Sequence, residues 1–200
     1  MQDIILASSS VYRRQLLNKL GINYRWQAPD VDETSIDGES PAELVKRLSR
    51  NKAVALAPHY PSALIIGSDQ VAAIENRILG KPGNHTHAKT QLQLASGKQV
   101  TFFTGLTLYN TTTRTTQTCC ELYQVTFRQL TDAQIENYLQ REQPYDCAGS
   151  FKSEGLGIAL FDELDGRDPN TLIGLPLIAL IKMLNKEGID VLDAKQDAAI

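Results

Sequence analysis

Asp69 stands just past the apolar run Leu64-Ile65-Ile66, preceded by Gly67-Ser68 and followed by Gln70. A small residue, a hydroxyl, a carboxylate and an amide in succession after a buried strand have the character of a ligand site, because open α/β sheets bind beyond the carboxyl ends of their strands. Cations are offered by other segments: Arg13-Arg14, Lys52, and Lys81 within Gly80-Lys81-Pro82. One carboxylate facing several cations points to metal-assisted phosphate chemistry. On this stretch alone, a strand-end Asp that caps a turn is an equal reading. A second candidate region is Gly149-Ser150-Phe151-Lys152-Ser153-Glu154-Gly155, where glycines let backbone approach a ligand.

The elements that must carry these residues are legible in outline. The run Asp3 to Ala7 reads as a strand, and Ser8-Ser9-Ser10 supplies hydroxyls where a helix begins, with Leu16, Leu17 and Leu20 as its apolar stripe and Gly21 as its end. The N-terminus of that helix is an anion seat, and Arg13 and Arg14 oppose its dipole, a placement that a bound anion would explain. Ile22 to Gln27 reads as a second strand, followed by the acidic loop Pro29 to Thr34. Ser40-Pro41-Ala42-Glu43 is strong helix-start grammar. The basic residues of that helix, Lys46, Arg47, Arg50 and Lys52, read mostly as a wet face. After the Asp69 strand, a hairpin through Glu75-Asn76-Arg77 returns to Lys81 and is expected to bring it beside Asp69.

Further on, Ala88 to Ala95 is helical, and Val100 to Tyr109 pairs with Cys119 to Phe127 across a Thr-rich turn. A helix follows from about Leu130 to Pro144, then a strand from Leu156 to Leu164 and a long helix from Thr171 to Lys186, interrupted by Pro176. The residues after Gly188 read as a flexible tail. The expectation is one α/β domain over residues 1–188, a mixed sheet with flanking helices in two lobes around a cleft, and a tail at 189–200.

Composition narrows the function. The chain has 200 residues, 42% hydrophobic and 22% charged, which is ordinary for a globular domain. A net charge of -3 gives no basic stripe for nucleic acid. No apolar run approaches a bilayer span and no signal peptide opens the chain, so a cytoplasmic protein is expected. The three cysteines have neither zinc nor disulfide-framework spacing and read as reduced thiols. His85 and His87, two apart at a helix start, read as surface residues.

Taken in order, the motifs resemble the Maf family of nucleotide pyrophosphatases. They comprise Leu6-Ala7-Ser8-Ser9-Ser10 with Arg13-Arg14, Asp32-Glu33-Thr34, Asn51-Lys52-Ala53, Gly67-Ser68-Asp69, Gly80-Lys81-Pro82, Thr104-Gly105 and Gly149-Ser150-Phe151. The resemblance implies an α/β fold like that of the inosine triphosphate pyrophosphatases. It also implies cleavage of a nucleoside triphosphate between its α and β phosphates, with a divalent cation (Mg, Mn or Co). Carried over by position, the resemblance implies Asp69 as the general base, Ser8, Arg13, Arg14, Lys52 and Lys81 as phosphate contacts, and Glu33 as a metal or water ligand, with Asp69 also on the metal. A homodimer is a family-level expectation.

Within the family the chain looks closest to members acting on 7-methyl-GTP. Val11-Tyr12 places an aromatic before the Arg pair, Gln70 follows the catalytic Asp, and Glu154 stands where others carry Gln. A carboxylate accepts both donors on the guanine edge, and a cationic methylated base stacks on an aromatic ring for roughly 0.5–2 kcal/mol. The competing expectations are a pyrophosphatase for UTP, dTTP or other nucleotides, and a nucleotide-binding regulator of cell division.

Overall fold

The computed structural model describes residues 2–75 and 77–193. Helix starts follow from local side-chain chemistry. In α2 (Pro41–Ala55) the Ser40 hydroxyl accepts from Glu43 N, while the Glu43 carboxylate accepts from Ser40 N and its O–H, with Pro41 in the first turn. Such a reciprocal cap contributes about 1 kcal/mol. Thr131 and Gln134 repeat it on α4 (Asp132–Glu142). Single caps begin α1 (Val11–Asn18) at Ser10 and α3 (His85–Ala95) at Asn84.

Seven strands form one mixed sheet in the order β2-β1-β3-β5-β6-β7, with β4 on β3. They are β1 (Asp3–Ala7), β2 (Arg25–Gln27), β3 (Ala63–Ile74), β4 (Arg77–Leu79), β5 (Gln99–Asn110), β6 (Thr115–Phe127) and β7 (Phe161–Gly166). β1 runs parallel to both β2 and β3, with Ala7 opposite Gly67. A parallel centre is covered on both faces, which is why Ile4 to Ala7 and Ala63 to Ile66 are unbroken apolar runs. β3 runs on past β1 and pairs antiparallel with β4, from Ile74–Arg77 to Ala72–Leu79. At the far end, β7 carries Asp162, Glu163 and Asp165 exposed.

Two compact units emerge, each built on part of β3, β5 and β6. The first runs up to Asp69, takes in Thr104–Glu121 and resumes at Gly174. Its core includes Ile5, Ala7, Ala53, Leu56, Ala63 and Ile65. α2 lies so close on the sheet that a Cβ on Gly67 would stand 2.1 Å from Ser49 O, and one on Gly105 2.0 Å from Val45 O. Only glycine admits that approach. The second unit holds Gln70–Phe103 and Leu122–Ile173. Phe151 is the hub of its core, edge-on to Phe102, Phe127 and Phe161 at centroid distances of 5.3, 5.7 and 4.7 Å.

Several boundaries differ from the sequence reading: α3 begins at His85 and β6 at Thr115, earlier than Ala88 and Cys119. The second strand is shorter, confined to Arg25–Gln27. Leu156–Leu160 is a 3-10 segment before β7, and within it Gly157 passes so near Lys152 that a Cβ would meet its carbonyl oxygen at 2.2 Å. The last helix is two: α5 (Asn170–Ile173) and α6 (Leu177–Lys186), split by Gly174 at φ +116 and by Pro176, which disfavours helix in the residue before it. Of the expected tail, Leu192 N donates to Asp190 Oδ1, while residues 194–200 lie outside the described residues, as does Asn76 of the hairpin turn. Among the described residues no helix is long and apolar enough to cross a membrane.

Candidate active site

Helix α2, seated on Gly67 and Gly105, delivers Lys52 to the end of the parallel part of β3. Lys52 Nζ donates to Asp69 Oδ1 at 2.6 Å and lies 2.7 Å from Glu33 Oε1. Lys52 and Asp69 are each 7% exposed, so this is a buried ion pair, whereas the Glu33 side chain is 58% exposed. Removing one partner of such a buried pair costs about 3–5 kcal/mol, because the other charge is stranded. The contact with exposed Glu33 contributes far less to stability. Its value is positional: it draws a second carboxylate to the same ammonium.

The acidic loop bearing Glu33 is itself held. Arg47 on α2 donates from Nε to Glu39 Oε1 at 2.7 Å, and from Nη2 to Glu39 Oε2 at 2.7 Å and Thr34 O at 3.0 Å. This fork lowers the Glu39 carboxyl below its ordinary value and raises the Arg47 guanidinium. Thr34 lowers the Asp32 carboxyl too, first through its side chain and then through its N–H, which Asp32 Oδ1 accepts at 2.9 Å. Of the four basic residues of α2 read mostly as a wet face, Lys52 is buried and Arg47 part-buried, each on carboxylates.

Arg13 is committed to backbone. Its Nε donates to Gly174 O at 2.9 Å and its Nη1 to Ser68 O at 2.8 Å. Burial pulls the guanidinium below its ordinary value and the Asp69 and Glu33 carboxylates push it back up, yet arginine remains a cation throughout. Arg14 lies over the Trp26 ring, 4.2 Å from its centroid, a cation–π contact worth about 0.5–1 kcal/mol at an exposed site. Ser8 is buried and its hydroxyl accepts from Ser10 N at 3.1 Å, while Tyr12 is half-buried in the first turn of α1.

The remaining expected residues belong to the second unit. Gln70 donates its amide to Thr171 O at 2.8 Å and Leu172 O at 3.3 Å. Lys81 is exposed, and the β3–β4 pairing ends at Ala72–Leu79, two residues short of it. Glu154 is exposed and accepts from Ser153 Oγ at 3.3 Å. Its loop hangs on the end of α4: Lys152 Nζ donates to Glu142 O, Lys152 N to the Tyr138 hydroxyl and Leu156 N to Glu142 Oε1. Lys152 therefore has a structural engagement. His85 is half-buried and meets Tyr145 and Glu136.

Among the described residues no group of three or more His, Cys, Asp or Glu could hold a metal by itself. Two carboxylates, Glu33 and Asp69, do meet at Lys52, and each has a second oxygen. Magnesium-type cations are commonly held by one or two carboxylates, with substrate phosphate and water completing the shell, so this donor set fits a hard divalent cation. Carboxylates, an ammonium and a hydroxyl around a strand end can neutralise phosphate charge and accept a proton from water.

The sequence matches the Maf-like protein family over residues 3–187, and the chain belongs to that family. It is 57% identical over 188 residues to the 7-methyl-GTP pyrophosphatase of Alcanivorax borkumensis, covering 94% of this chain and 95% of that one. It is 53% identical over 197 residues to the 7-methyl-GTP pyrophosphatase of Pseudoalteromonas translucida, covering 98% of each. Among solved structures, the Ham1 protein of Staphylococcus aureus is similar at a TM-score of 0.45 and 12% identity, over 63% of this chain and 72% of that one, too slight a likeness to bear on fold or function.

Proposed function

We propose that this protein hydrolyses 7-methyl-GTP to 7-methyl-GMP and pyrophosphate. The observation that carries the chemistry is the Lys52 ammonium held between the Asp69 and Glu33 carboxylates. The choice of substrate is supported by the two relatives, more than half identical along nearly the whole chain.

In the reaction, water oxygen bonds to the α-phosphorus as the bond from that phosphorus to the bridging oxygen breaks. Asp69 takes the water proton, and pyrophosphate leaves with the bonding electron pair. Lys52 keeps the Asp69 carboxylate in place and offsets charge growing on the phosphoryl oxygens, an electrostatic contribution that costs no reorganisation in a preformed site. A divalent cation held by Glu33 and Asp69 supplies, when bound, further neutralisation of those oxygens. Binding of manganese to the protein, followed by calorimetry and weakened in Glu33→Gln, tests that assignment without reference to turnover. Ser8, Arg14 and Lys81 complete the proposed phosphate contacts, and Tyr12, Gln70 and Glu154 read the base. The enzyme acts on free nucleotide in the cytoplasm, as a homodimer.

The test is phosphate release from 7-methyl-GTP, GTP, UTP and dTTP, each with and without added inorganic pyrophosphatase. Release from 7-methyl-GTP only in the coupled assay is expected. Equal turnover of UTP assigns the chain to a broader pyrophosphatase. Nucleotide binding without turnover, in the presence of magnesium, manganese or cobalt, assigns it to regulation instead.

A further inference from the structure

Arg13 and Ser68 converge on one carbonyl. Gly174 O accepts from Arg13 Nε at 2.9 Å and from Ser68 Oγ at 2.9 Å, and Arg13 Nη1 donates to Ser68 O at 2.8 Å. Three segments distant in sequence, the first turn of α1, the end of the parallel part of β3 and the turn between α5 and α6, thus close a ring of hydrogen bonds. Ser68 is fully buried and is the residue immediately before Asp69. Gly174 reaches its place at φ +116, a conformation open to glycine.

The chemistry of the ring is specific. Arginine presents planar N–H groups in a fixed fork, and here the fork spans two backbone carbonyls, which a lysine ammonium, a point charge on a flexible stem, does not reproduce. The guanidinium carries five N–H donors. Arg13 spends two of them on the peptide groups that flank the carboxylate's own strand end. Both acceptors are neutral carbonyls, so the bonds direct geometry more than they offset charge.

We infer that Arg13 and Ser68 are positioning residues, which lock the backbone at Ser68 to Gly174 and so hold the Asp69 carboxylate in register with Lys52. The inference rests on the reading of Asp69 as the base. A carboxylate displaced by a fraction of an ångström from its water loses rate without losing affinity for the nucleotide, since misplacement acts on the transition state.

The experiment compares Arg13→Lys, Ser68→Ala and Asp69→Asn with the unchanged enzyme on 7-methyl-GTP, measuring kcat, KM, the inhibition constant of pyrophosphate, and the thermal midpoint. Arg13→Lys retains the charge and loses the fork: kcat is expected to fall by about tenfold or more, with KM and the pyrophosphate constant within roughly threefold. Ser68→Ala, which deletes one bond of the ring, is expected to fall about three- to tenfold in kcat with the same unchanged constants. A rise in KM and in the pyrophosphate constant at preserved kcat would make Arg13 a phosphate contact and overturn the inference. Ser68→Ala with unchanged kcat overturns it too, and decides alone if Arg13→Lys does not fold. Retained turnover in Asp69→Asn defeats the reading of the base, an outcome separable from both.

Discussion

Lys52 Nζ stands 2.6 Å from Asp69 Oδ1, with both residues buried. The pair joins a helix to a strand end, and its geometry depends on how closely the two elements pack.

Stranding either charge should therefore be costly. Lys52→Ala is expected to lose about 3–5 kcal/mol of unfolding free energy in urea, and Lys52→Met combined with Asp69→Asn less than that, because no buried charge is left unpaired. A double variant no more stable than Lys52→Ala would show that the pair is not buried in solution.

Gly67 and Gly80 make opposite predictions for the same substitution. A Cβ at Gly67 meets Ser49 O at 2.1 Å and Ala53 N at 2.9 Å, while one at Gly80 meets nothing within 4 Å. Gly67→Ala should push α2 off the sheet at a cost of about 1–3 kcal/mol or more, carrying Lys52 away from Asp69 and taking turnover with it. Gly80→Ala should be neutral or gain up to about 1 kcal/mol through the unfolded chain. Thermal melts of the two variants distinguish them.

The Arg47 fork sets an acid limit for the loop that bears Glu33. Because Arg47 holds the Glu39 carboxyl below its ordinary value, the contribution is fully present above the normal carboxylate range and is lost as pH falls through the depressed folded value. NMR titration of Glu39 should give a midpoint below that of an exposed glutamate, and Arg47→Ala should return it to the ordinary range. The same variant should make the segment around Thr34 more open to protease at neutral pH.

Cys147 offers a chemical probe of the second unit. Burial, aided by neighbouring Asp146, pushes its thiol up to about 12. In a Cys119→Ser, Cys120→Ser background, iodoacetamide at pH 8 should label it slowly. The lost thiolate fraction, partly offset by greater intrinsic nucleophilicity, leaves a rate roughly one to two orders of magnitude below a free cysteine. The rate should climb with each pH unit until the thiol ionises. Any stability gained from the protonated thiol is present below its unfolded value and fades as pH rises toward 12.

What the sequence made legible was local or periodic. Ser40-Pro41-Ala42-Glu43 announces its own helix, the apolar run into Gly67-Ser68-Asp69 announces a strand with something at its end, and both are observed. Residue type sets Lys52 among several cations that could meet Asp69, but nothing in either segment alone singles it out from Arg13, Arg14 or Lys81 as the partner. The Arg47 fork is not legible because a cation on a helix face is ordinarily solvated, and its partner Glu39 lies in an irregular loop. The Arg13 fork was out of reach, because its acceptor Gly174 O is 161 residues away and is a backbone atom, which carries no residue-type signal. The split between α5 and α6 was half visible: Pro176 marks it, but the left-handed turn at Gly174 is a matter of tertiary packing.

The two outer strands bear on how the molecule behaves among its own copies. β2 is three residues long, too short to template a neighbour, and β7 exposes Asp162, Glu163 and Asp165 along its length. Like carboxylates on a free margin repel a second identical margin, so hydrogen-bonded stacking of one sheet onto the next is discouraged at both ends. Replacing Asp162, Glu163 and Asp165 by their amides removes one of those two safeguards, and crowded solutions of that variant should cloud sooner than those of the unchanged protein.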